Sequence, residues 1–182
     1  MTDMTSLNGT YAIDPTHSSL GFIARHAMIT KVRGSFKEFE GVATVDGQNP
    51  GASNVKVTMQ VASIDTRNGD RDAHLTSADF FDVENFPTIT FDSTKVEAVD
   101  ADTVEITGDL TIKDVTKSVT IPFEYTGAAK DPFGNERIGF EGKTEVNRKD
   151  FGLTWNAALD TGGVLVSEKI TLEFEISAIK QA

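Results

Sequence analysis

Along most of this chain apolar and polar residues alternate one by one, the period that a strand with one covered face requires. Val104, Ile106, Gly108, Leu110 and Ile112 alternate with Glu105, Thr107, Asp109 and Thr111. Val55, Val57, Met59 and Val61 do the same with Lys56, Thr58 and Gln60, and the rhythm returns over 18–26, 115–125, 138–146 and 170–178. Polar turn clusters separate the runs: Asp14-Pro15, Gln48-Asn49-Pro50-Gly51 and Asp131-Pro132-Phe133-Gly134-Asn135. Between residues 32 and 46 the phase slips near Glu38 and Gly41 follows, the pattern of a bulge that bends a strand at a barrel corner. About eight long strands with no βα rhythm predict an all-β chain, an antiparallel sandwich or barrel.

A barrel of about eight strands either fills itself with side chains or holds one small ligand. Small residues (Ala24, Gly34, Gly108, Gly142) share the inward positions with large ones, which favours the hollow form. The residues expected to line its cavity are Leu20, Phe22, Phe36, Val57, Met59, Leu75, Phe80, Phe81, Phe91, Leu110, Phe123, Phe140 and Phe174. A length of 182 residues suits one domain, expected over 10–182 after a flexible lead of residues 1–9.

The alternation breaks once, in the stretch from Ser63 to Phe91, where a short helical segment is expected at about 70–82. Charge and histidine collect there. Arg71, Asp72 and His74, with Asp70 and Asp79, have the chemistry of an acid–base site, which makes an uncharacterised enzyme the alternative function. The favoured reading is structural: Arg71 and Asp72 pin the helix to the barrel rim, and Asp70 complements its dipole. Asp79 and Asp82 as a glycosidase-type carboxylate pair are disfavoured, their separation in sequence saying nothing of their distance. His17, His26 and His74 could form a zinc-binding trio, but His17 and His26 face opposite sides of one strand. No metal, cofactor or catalytic residue is therefore expected. Trp155 either caps an opening or packs outside. The Thr161-Gly162-Gly163 stretch is expected to be a flexible turn, without the strand and helix that a phosphate loop needs.

Acidic residues outnumber basic ones 28 to 17, for a net charge of −11. Such a surface repels phosphates and anionic membranes, so nucleic-acid binding and stable membrane insertion are not expected. There is no cysteine, which excludes a thiol nucleophile, thiolate zinc and disulfides. The opening MTDMTSLNGTYAID has neither basic residues nor an apolar run, and no later stretch approaches a membrane span, so a cytoplasmic location is expected.

Several motifs together resemble the YceI-like proteins. They are Tyr11-x-Ile13-Asp14-x-x-His17-Ser18, Gly34-Ser35-Phe36-x-x-Phe39-x-Gly41, Ser63-Ile64-x-Thr66 and Arg71-Asp72-x-His74-Leu75-x-Ser77-x-Asp79-Phe80-Phe81-Asp82. Pro87-x-Ile89-x-Phe91, Gly108-x-Leu110-Thr111-Ile112 and Asn147-Arg148-x-Asp150-Phe151-Gly152 continue the match, which spans roughly residues 10 to 180. Tyr11 stands where the family usually has Trp, Phe86 where it has Tyr, and Asp114 where a turn has Gly. The resemblance implies an extended antiparallel eight-stranded lipocalin-like barrel that binds a polyisoprenoid or other long-chain lipid for carriage, storage or sequestration. It also puts a homodimer among the expected partners, family members being often dimeric. A diphosphate head group would need basic donors at the mouth, for which Arg25, Lys31 and Arg33 are candidates; a neutral head such as a quinone is the other option.

Overall fold

The computed structural model describes residues 3–160 and 162–182. Eleven strands form one antiparallel sheet: β1 Asn8–Ile13, β2 Ser19–His26, β3 Thr30–Phe36, β4 Phe39–Asp46, β5 Asn54–Gln60, β6 Ile64–Asp65, β7 Thr88–Ala98, β8 Thr103–Ile112, β9 Val115–Lys130, β10 Glu136–Asn147 and β11 Lys169–Lys180. Their order is β1-β4-β5-β7-β8-β9-β10-β11-β2-β3-β6, and β11 pairs with β1 as well, which closes the sheet on itself. The chain pairs β1/β2, β3/β4 and β5/β6 are three strands, each bent once, so the barrel has the expected eight.

The bends are held by side chains that substitute for ladder bonds. Between β1 and β2 the Ser18 hydroxyl donates to the Ser177 carbonyl at 3.1 Å and accepts its amide at 2.9 Å. The β3/β4 break falls at Lys37 and Glu38, where the phase slips in sequence, and Ser63 spans it: its carbonyl accepts from Lys37 and its hydroxyl from the Glu38 amide. Closing a sheet needs such corners, because a straight, fully paired ladder cannot turn sharply enough.

Among the described residues one α-helix, α1, covers Gly69–Thr76. Asn68 caps it, its side chain accepting from the Arg71 amide at 3.0 Å, and Asp70 and Asp72 lie in the first turn, facing the positive end of the dipole. The expected helix to about residue 82 stops early. Ser77 turns extended, and the amides of Phe81 and Val83 take the carbonyls of Leu75 and Thr76. That reversal, with Asp82 in the left-handed region (φ 52°), folds Phe80 and Phe81 back over the barrel end.

Residues expected as a flexible lead are partly built in. A 3-10 turn covers Met4–Ser6, Leu7 is 5% exposed, and β1 begins at Asn8. Gly47 makes this fit possible: a Cβ there would lie 2.8 Å from the Leu7 carbonyl oxygen, so only glycine lets the segment cross the barrel end so closely. Met1, Thr2 and the expected turn residue Thr161 lie outside the described residues.

The two ends of the barrel differ. Here the helix end is the one carrying α1 and the β2–β3 hairpin; the far end carries the chain termini.

Candidate functional site

Inward residues of all eight strands surround a cavity of about 350 Å³. At the far end it reaches Met4, Asp46 and Asp100, at the helix end Leu75, Phe80 and Phe151, and its wall between is almost wholly aliphatic and aromatic. All thirteen residues expected as lining stand on this wall, from Leu20 to Phe174.

The small inward residues act differently from what the sequence suggests. Gly34 lies under the ring of Phe22, its partner across β2 and β3. Gly142 lies under Phe123, its partner across β10 and β9, where a Cβ would meet ring carbons at 2.5 Å. Gly108 lies under Phe91 and also abuts the Asp92 carbonyl oxygen, 2.6 Å from where a Cβ would be. The glycines do not themselves form the void. They let large rings lie flat against the wall, leaving the axis open.

The helix end is closed by α1 and the loop after β10. Arg71 and Asp72 are committed to one residue, buried Thr66. The guanidinium donates to its hydroxyl at 2.8 Å and its carbonyl at 2.6 Å, and the Asp72 carboxylate accepts from its amide and hydroxyl at 2.9 and 2.5 Å. His74 bonds Asp79 (Nε2 to Oδ2, 2.9 Å) and sets its ring edge-on against Trp155 and Phe80, at 4.7 and 5.1 Å. These groups hold α1 down while Leu75, Phe80 and Phe81 reach the cavity. Trp155 thus packs on the plug.

The three histidines are dispersed. His17 bonds Asp14, His26 lies at the β2–β3 tip and His74 on α1; among the described residues no three ligand-type side chains converge on a metal. Asp82 bonds Asn85, while Asp79 is held by His74.

Arg25, Lys31 and Arg33 do not line the cavity. Phe22 and Ala24 face inward on β2, so Ile23 and Arg25 face out, and the register sets Lys31 and Arg33 directly opposite them. The Arg25 guanidinium donates to the Ile29 carbonyl, and Arg33 pairs with Glu173 at 3.8 Å.

The cation inside is Arg148, 4% exposed and on the cavity wall. Its guanidinium donates to four carbonyls: Ser167 at 2.8 Å, Leu153 at 2.7 Å, Trp155 at 2.9 Å and Val166 at 3.2 Å. Burial pushes its pKa down, and the nearby Glu168 charge only partly opposes that. A signal for it exists in the sequence, since parity from Ile138 through Val146 carries Arg148 onto the inward face.

At the far end Arg137 bridges two carboxylates at 2.8 Å each, Asp14 and Asp131. Bonding to Arg137 holds Asp131 down to about 2 and Asp14 well below the usual carboxylate range. Both side chains face out of the cavity.

The YceI-like domain family matches residues 11–178. A UPF0312 protein of Ectopseudomonas mendocina is 42% identical over 173 residues, covering 94% of this chain and 87% of that one. Among solved structures, BcnA of Burkholderia cenocepacia superposes with a TM-score of 0.80 at 22% identity, covering 91% of this chain and 98% of that one. A polyisoprenoid binding domain from Saccharophagus degradans superposes with a TM-score of 0.73 at 14% identity, covering 94% and 98%. With the motifs in order along the barrel and the family matched over nearly the whole length, the chain belongs to the YceI-like family.

Proposed function

We propose that the cavity binds a long isoprenoid or similar amphiphilic lipid, for carriage, storage or sequestration, without catalysis. The observation that carries this reading is the wall: between its ends the interior is lined almost wholly by aliphatic and aromatic side chains, where an apolar chain is the ligand that loses no hydrogen bonds on entry. The Saccharophagus degradans domain, described as polyisoprenoid binding, shares the fold and supports the ligand class.

The size sets a scale. At roughly 30 Å³ per heavy atom, about the share of a water in the liquid, 350 Å³ holds on the order of a dozen carbons. Burying them yields about 10 kcal/mol gross, against about 4–15 kcal/mol lost on association. A dozen carbons therefore bind marginally, and a tighter ligand is longer, displacing rings such as Phe22 and Phe123 or projecting through an end.

The polar lining favours a neutral head group. Arg148 is engaged by four carbonyls, and Asp46 and Asp100 at the other end repel anions. A diphosphate would enter without a free basic partner, and burying unpaired charge is costly. A quinone or alcohol head meets no such barrier.

Native mass spectrometry of protein purified from its own host, followed by organic extraction, tests the reading. A co-purifying lipid with a polyprenyl fragmentation pattern is expected. The proposal fails if no ligand is found and added long-chain isoprenoids leave the melting temperature unchanged, since a hundredfold excess over Kd would stabilise by about 2.7 kcal/mol.

A further inference from the structure

The β2–β3 hairpin stands at the helix end, bonded on one side to residues 165–167, and carries features that the lipid cavity does not use. Its turn is made by Ala27 and Met28, both in the left-handed region (φ 52° and 62°), where glycine or asparagine is the ordinary choice. The turn places Met28 and Ile29 in solvent, 62% and 76% exposed. Just behind them Arg25 and Lys31 sit directly opposite each other across the ladder, like charges at a pairing position that disfavours them. Among the described residues neither has a carboxylate within ion-pair distance, in a chain of net charge −11. Arg33, two residues on, lies on the same outward side and, unlike them, has an exposed carboxylate partner, Glu173 at 3.8 Å. Backbone strain, exposed apolar side chains and unpaired cations thus coincide at one tip.

That tip adjoins the cavity closure. His26 bridges Val166, the Ala27 amide donates to the Leu165 carbonyl at 2.7 Å, and Ala24 and Val166 line the cavity.

We propose that this tip docks on an anionic phospholipid bilayer, with Met28 and Ile29 entering the headgroup–acyl boundary and Arg25, Lys31 and Arg33 resting on lipid phosphates. Its chemistry is that of interfacial anchors, apolar side chains ringed by basic ones. Asp70 and Asp72 on α1 and Asp114 in the β8–β9 turn lie at the same end, so the electrostatic attraction is confined to the tip itself. Contact there is weak and reversible, as two apolar side chains and three cations allow. The inference rests on the lipid-binding reading for its purpose, though not for its geometry.

Flotation with phosphatidylcholine vesicles, and with vesicles containing equal parts phosphatidylcholine and phosphatidylglycerol, tests it. The wild-type protein is expected to float with the mixed vesicles only and to be released by high salt. Lys31→Glu is expected to weaken partitioning on the order of tenfold or more, and Ile29→Ser to weaken it severalfold. Both are exposed, so circular dichroism and retention of a fluorescent isoprenoid should not change. Equal flotation with both vesicle types, or with neither, overturns docking, as does unimpaired flotation of Lys31→Glu. A dimer in solution that Ile29→Ser dissolves would assign the tip to a second copy instead. Vesicle binding without isoprenoid retention would refute the cavity's role and leave docking standing; the reverse would refute docking alone.

Discussion

The far end of the barrel and the helix end are closed by different means. At the far end β9 and β10 are paired up to Glu136 and Lys130, β11 reaches β1 at Lys180 and Tyr11, and β1 reaches β4 at Asn8 and Asp46. Leu7 packs beneath with Tyr11, Tyr125, Ile138 and Ala178, and Arg137 ties Asp14 to Asp131 outside. At the helix end two ladders separate, although β10 and β11 stay paired to Asn147 and Lys169 and β8 and β9 to Ile112 and Val115. β9 and β10 pair no further than Gly142 and Phe123, beside Pro122, which has no amide to donate, and β6 has no pairing with β7. A Thr144 hydroxyl reaching the Thr120 carbonyl at 3.3 Å, α1 and the loop held by Arg148 cover these seams. Ladders open only cooperatively, whereas a plug held by a few side chains opens locally at lower free energy. A ligand is therefore expected to pass through the helix end, the end with the basic tip.

Arg148→Ala should have the largest effect, about 3–5 kcal/mol in urea unfolding, since four carbonyls lose their donor inside the protein. Hydrogen exchange should rise across residues 149–167 while the far end stays protected. Uniform loss of protection at both ends would break the comparison. Leu7→Ala should cost about 2–4 kcal/mol and loosen the far end without accelerating ligand release.

Gly108→Ala, in the wall between the ends, should cost about 1–3 kcal/mol by thermal melting, because the obstructing Asp92 carbonyl is backbone and cannot step aside. The analogous Gly142→Ala meets only the Phe123 ring, so it should destabilise less and mainly narrow the cavity.

Acid should act on the far end. Asp131, ordinarily 3.8, is lowered to about 2, so its pairing stabilises the fold above its unfolded pKa and is lost as pH falls from near 3.8 toward 2. Asp14 is shifted in the same direction. Stability of the wild type should therefore fall over that window, and Arg137→Gln should flatten the dependence. An unchanged acid profile in the variant would remove the network from the far-end closure. The smallest effect is expected at the β8–β9 turn of the helix end, where Lys113 and Asp114 both hold positive φ (52° and 63°). Asp114→Gly should stabilise by about 0.5–1 kcal/mol, with no change in ligand exchange.

Much of the fold was legible because alternation records burial directly. Leu20, Phe91 and Phe174 could be assigned to the inner face from parity alone, and the phase slip at Glu38 marked a real bend. The plug was legible as an interruption, but not its end at Thr76, which depends on capping bonds to Phe81 and Val83. The glycines misled about where the space is, because their role depends on cross-strand partners. Arg25, Lys31 and Arg33 were recognisable as unusual charges in an acidic chain, yet their face followed only from the register with Phe22 and Ala24.

By itself, then, the sequence determined the eight strands, their inner faces and the family, since strand period and motif order are local properties of the chain. Tertiary structure alone decided which strands close the barrel, that Arg148 rather than the exposed basics lies on the cavity wall, and that one end is laddered and the other plugged. Those depend on pairings between residues far apart in the chain, such as Gly142 with Phe123 and Phe22 with Gly34, which no local period encodes.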